Sequence, residues 1–94
     1  MRDEIENFAN GHTNKIRSVA ITSDDRYVFS GALDGILCQW DTETGSIVQK
    51  INAHEGKEIW FCMVSWDDQY AFTGSYDQSA KMWDISSGKL LRNK

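Results

Sequence analysis

Ninety-four residues suffice for one small domain and leave it only a modest core. A hydrophobic share of 40% and an aromatic share of 12% exclude a disordered chain. The net charge of -4, with Lys and Arg scattered singly, provides no stripe to neutralise phosphates, so neither nucleic acid nor membrane is an expected partner.

The first residues, Met1-Arg2-Asp3-Glu4, carry no apolar run, and no stretch approaches membrane-spanning length. The expected address is intracellular, cytoplasm before nucleus. Residues 5–9 read as a strand of their own within an opening segment 1–10, the outer strand of a preceding or shared unit. Residues 16–22 form the next strand, ended by the Ser23-Asp24-Asp25 turn. Residues 27–32 and 36–41 flank the tight Asp34-Gly35 turn, and 46–52 follows Thr42-Glu43-Thr44-Gly45. A second set follows at 59–65, 70–75, 80–85 and 89–92. Val28-Phe29, Ala71-Phe72 and Trp60-Phe61-Cys62-Met63-Val64 set apolar groups on both faces of their strands, which predicts sheets covered on both sides. Cys38 and Cys62 sit inside such runs and read as small buried hydrophobes rather than ligands or a disulfide framework.

The two sets are copies. Asp24-Asp25 returns as Asp67-Asp68, Tyr27 as Tyr70, Ser30-Gly31 as Thr73-Gly74, Asp34 as Asp77, Trp40-Asp41 as Trp83-Asp84 and Gly45 as Gly88. All share one spacing, 43 residues, as between Trp40 and Trp83. His12 and His54 complete the pairing one residue out of step. The fold class is therefore all-β, with units at 11–52 and 53–94.

In order, Gly11-His12, the Asp turn, Ser30-Gly31, Asp34 and Trp40-Asp41 resemble a WD40 repeat, and Ala53-His54 through Trp83-Asp84 resemble a second. The resemblance covers nearly the whole chain. It implies two four-stranded antiparallel propeller blades plus an N-terminal extra strand, an incomplete propeller. It further implies buried tetrads that join His12, Ser30, Asp34 and Trp40 in one unit and His54, Thr73, Asp77 and Trp83 in the other. The residue types suit a hydrogen-bonded line, since Trp only donates, Ser and Thr do both, and His can relay to Asp. Two departures stand out. The usual Pro-Asp-Gly of the first turn is Ser23-Asp24-Asp25 and Trp66-Asp67-Asp68, and neither Trp-Asp has an Arg two residues on.

His12, Ser30 and Asp34 are also the residue types of a hydrolytic triad. No nucleophile elbow accompanies them, the pattern recurs in a structural position, and two histidines are too few for a multi-histidine metal site. The expectation is a non-enzyme without cofactors or metal. The resemblance implies peptide binding on the rim formed by two sets of loops, with Lys15, Arg17 and Leu33 contributed by the first unit and Glu58, Trp60 and Tyr76 by the second. Trp66 lies in the opposite turn and could anchor a second surface.

Two units do not close a propeller, which takes four to eight. The chain is expected to be part of a longer repeat protein, a homo-oligomer that closes a ring, or a piece that docks on another propeller. The leading function is a protein-protein interaction scaffold that binds other proteins or peptides. The alternative is a structural, self-assembling or accessory blade pair.

Overall fold

A computed structural model describes residues 15–93. Among the described residues eight strands run in chain order: β1 (Ile16–Ile21), β2 (Tyr27–Ala32), β3 (Ile36–Asp41), β4 (Ile47–Asn52), β5 (Ile59–Val64), β6 (Tyr70–Ser75), β7 (Ala80–Asp84) and β8 (Leu90–Asn93). They form two four-stranded antiparallel meanders, β1-β2-β3-β4 and β5-β6-β7-β8. Each observed strand lies within a residue or so of the limits read from the sequence. The strand expected at 5–9 and His12 lie outside the described residues.

The turns explain the breaks. Asp25 and Asp68 take the left-handed region at φ 60 and 62, which Asp tolerates better than most side chains. In each turn the preceding Asp folds back on the backbone: Asp24 Oδ1 accepts from the Arg26 amide at 3.0 Å and Asp67 Oδ1 from the Gln69 amide at 3.2 Å. The sequence thus makes its first turn without the usual Pro and Gly. At the third turn Gly45 and Gly88 share φ 72, where glycine is free of the Cβ penalty.

The main core lies between the sheets. Phe29, Leu37, Ala53, Ile59, Cys62, Ala71 and Trp83 bury themselves there, with β5 laid against β1 and β2. Fully burying side chains such as Phe29, Leu37 and Ile59 stabilises by about 1.5–3 kcal/mol each. Ile59 seats over Gly31, where a Cβ would come within 2.7 Å of its Cγ2, so only glycine admits the second sheet this closely. A smaller cluster of Val28, Cys38 and Trp40 occupies the other face of the first sheet. Burial pushes the Cys38 thiol up to about 11 and raises that of Cys62, so both behave as packing groups rather than nucleophiles.

Polar clasps fix the register between the sheets. The Cys62 amide donates to Ser18 Oγ at 3.1 Å, and the Ser23 amide and hydroxyl both donate to the Asp68 carboxylate. Gln49 Nε2 donates to the Ile85 carbonyl at 2.7 Å and to Gln39 Oε1 at 2.6 Å.

Coverage on both faces holds for Val28 and Phe29 but not for the second sheet. Phe61 is 44% exposed and Met63 57%, and Phe72 is only half-buried. The physical reason is plain: the face of β5-β6 turned away from the first sheet meets no further sheet among the described residues.

Candidate protein-binding rim

Trp83, on β7, donates its indole N–H to Thr73 Oγ1 on β6 at 3.0 Å. Thr73 lies 2.8 Å from His54 Nε2, and His54 Nδ1 lies 3.0 Å from Asp77 Oδ2. A carboxylate only accepts, so Nδ1 carries a proton, and in the neutral imidazole Nε2 then accepts the one from the Thr73 hydroxyl. The donors therefore run in one direction, indole to hydroxyl to imidazole to carboxylate, and each bond in the line strengthens the next. Sequence reasoning missed Ser79, whose hydroxyl and amide both donate to Asp77 Oδ1. Those bonds, followed by His54, lower the Asp77 carboxyl to about 2. Its counterpart in the first unit is Ile36, so no repeated signal marked it.

In the first unit Trp40 donates to Ser30 Oγ at 3.0 Å, and Asp34 accepts from the Ile36 amide at 2.9 Å, as Asp77 does from Ser79. His12, the fourth expected member, lies outside the described residues.

Thr73, His54 and Asp77 share the connectivity of a hydrolytic triad. Thr73 is fully buried and one of its lone pairs is taken by Trp83, so its oxygen has no route to a substrate carbonyl. Among the described residues no cluster of three or more His, Cys, Asp or Glu could hold a metal ion.

A second feature lies at the start of β1 and of β5. Arg17 and Trp60 occupy the same position of the repeat, and each falls at a break in the ladder, between Ile16 and Ser18 and between Ile59 and Phe61. A bulge turns the extra side chain out of the pleat. The outcome is one ledge across two sheets. The Arg17 guanidinium lies 4.5 Å from the Trp60 ring centroid, and the Tyr76 ring lies 5.4 Å from Trp60 at 48°. Trp60 is 41% exposed and Tyr76 70%.

The other expected rim residues act largely through backbone. The Glu58 carbonyl accepts from the Tyr76 amide at 3.0 Å and the Ser75 hydroxyl at 2.6 Å, fixing the turn that carries Tyr76. The Lys15 carbonyl accepts from the Leu33 amide at 2.9 Å, leaving Lys15 exposed and Leu33 half-buried. Trp66, in the opposite turn, is 91% exposed.

The family model described as "WD domain, G-beta repeat" matches residues 4–41 and 45–84. This chain belongs to the WD40 repeat family. WD40 repeats generally serve as non-catalytic protein-interaction scaffolds, and both sheets are blades of an incomplete propeller. The second match begins just ahead of β4 and ends with β7, so a sequence repeat straddles two blades and ties them covalently. Among solved structures, the chain is similar to one titled "Crystal structure of RRP9 WD40 repeats", at 24% identity and a TM-score of 0.83, over 88% of this chain and 26% of that one. It is also similar to one titled "Structure of U3-55K", at 23% identity and a TM-score of 0.80, over 88% of this chain and 27% of that one. At such identities the likeness shows the fold alone. The chain spans about a quarter of the length of each of these two structures.

Proposed function

We propose that this WD40 blade pair is a non-catalytic docking element of a larger propeller or assembly, and that it grips a partner protein or peptide through the ledge of Arg17, Trp60 and Tyr76. The observation that carries this reading is the joint exposure of an arginine and two aromatics in mutual contact, drawn from both blades. Arg, Trp and Tyr are the side chains on which binding energy concentrates, the rings because they bring large contact area with few rotamers to freeze and Arg because its planar fork of donors is preorganised. Lys15 and Leu33 extend the same rim, and Glu58 supports it from below. The open apolar face of the second blade supports membership of a larger assembly, since surfaces of that kind mark interfaces. Two buried cysteines suit a reducing, cytoplasmic setting.

Alanine at Arg17, Trp60 or Tyr76 tests the reading. Each variant is expected to keep the β circular-dichroism spectrum and to lose retention of the protein captured by the wild-type chain from cell extract. Unchanged retention in all three would refute the rim as the binding surface.

A further inference from the structure

Two arginines of this chain are stacked on aromatic rings, and they differ in one respect. Arg26, over Tyr27, is paired with Asp41 at 3.2 Å and lies 3.9 Å from Glu43. Arg17, over Trp60, has no ion pair among the described residues. A guanidinium carries its N–H donors in its own plane, so stacking on an indole holds the group in place without consuming them. Any partner that covers the ledge must displace water from that cation. Covering an unpaired guanidinium is costly, and an acceptor of opposite charge offsets the loss best, through two charge-assisted bonds to the fork. The rings of Trp60 and Tyr76 ask for something different beside it, a flat or branched apolar side chain.

We infer that the ledge recognises an acidic peptide segment, with a carboxylate seated on Arg17 and an adjacent aromatic or aliphatic side chain laid on Trp60 and Tyr76. The inference rests on the rim reading above and adds the chemistry of its occupant. Arg17 is the residue that selects for acid, and Trp60 acts on it as a positioning residue while also contributing contact area. The two bulges place a cation from one blade and a ring from the next at matching positions, so neither blade alone carries this preference.

Fluorescence anisotropy with the full chain and three labelled octapeptides tests it: alternating Glu and Phe, alternating Gln and Phe, and alternating Glu and Ser. The Glu/Phe peptide is expected to bind about tenfold more tightly than the Gln/Phe peptide, the size of one charge-assisted contact. It is also expected to bind more tightly than the Glu/Ser peptide. Arg17→Gln should erase the preference for Glu over Gln, and Arg17→Lys should retain part of it. Equal affinity for the Glu/Phe and Gln/Phe peptides, persistence of the preference in Arg17→Gln, or no binding of any peptide would each overturn the inference. The two levels separate cleanly. If Trp60→Ala still costs partner retention while the peptides show no preference for acid, the rim stands and the acidic occupant falls. If Trp60→Ala, Arg17→Ala and Tyr76→Ala all leave retention intact, the rim itself falls.

Discussion

On the first sheet, Ser18, Ser23 and Gln49 reach across to Cys62, Asp68 and Ile85 of the second. At the matching positions of the second sheet stand Phe61, Trp66 and Arg92. Gly31 lies open to receive Ile59, whereas Gly74 is roofed by the Phe61 ring of its own sheet, where an added Cβ would collide. The covered face is therefore small, polar at its edges and specific in register; the uncovered one is aromatic and Met-rich, with Met63 and Met82 where the first sheet has Ala20 and Gln39. The Trp-to-hydroxyl bond and the turns repeat because each blade needs them internally. The clasps do not repeat, because each depends on what the neighbour offers. A second copy packed as the two blades pack here would have to seat Ile16 over Gly74, in the space the Phe61 ring fills.

The core between the sheets should respond most strongly to substitution. Trp83→Ala should cost about 3–5 kcal/mol in urea unfolding, through the cavity it leaves and the loss of the first donor to Thr73. A loss below about 1 kcal/mol would deny Trp83 its part in the core between the sheets. Ile59→Ala should cost about 2–5 kcal/mol and Phe61→Ala no more than about 0.5 kcal/mol, since one fills the covered face and the other the open one. Equal costs would mean that the two faces are not different environments.

The turns at the two sheet edges should differ by less. Ser23→Ala removes a donor to Asp68 and should cost about 0.5–1.5 kcal/mol in the same urea series, while Trp66→Ser, at the matching position of the exposed turn, should change stability by less than about 0.5 kcal/mol. A separate effect is expected in acid. Asp77 is held at about 2 in the folded chain against an ordinary 3.8, so its contribution is complete above that ordinary value and drains away as pH falls toward about 2. Thermal melts should show Asp77→Asn less stable than the wild type at neutral pH, with the gap closing over that window. A gap that instead widens on acidification would contradict the assignment.

The parts of the molecule that serve each blade internally were legible in the sequence. Strand limits, the Asp turns and the line from Trp83 through Thr73 and His54 to Asp77 follow from residue types set at one spacing. Ser79 was not legible, because its counterpart Ile36 breaks the repeat. Nor were Ser18, Ser23 and Gln49, which mean nothing until a neighbouring sheet places Cys62, Asp68 and Ile85 opposite them. The apolar run of residues 60–64 suggested cover on both faces, yet hydrophobicity alone does not say whether a neighbour is there. Arg17, Trp60 and Tyr76 are reached in the sequence only through family position. Their contact depends on two bulges, and a bulge leaves no mark in the alternation of side chains.

Whether Arg17 and Trp60 act as one binding ledge is read from a double-mutant cycle of affinity for the captured partner in the wild type, Arg17→Ala, Trp60→Ala and the double variant. Each single change should weaken binding with the fold intact, and the double change should cost less than the sum by about 0.5–1 kcal/mol, the worth of an exposed cation–ring contact. Strict additivity, or full affinity in either single variant, would contradict the view that two blades share one binding ledge.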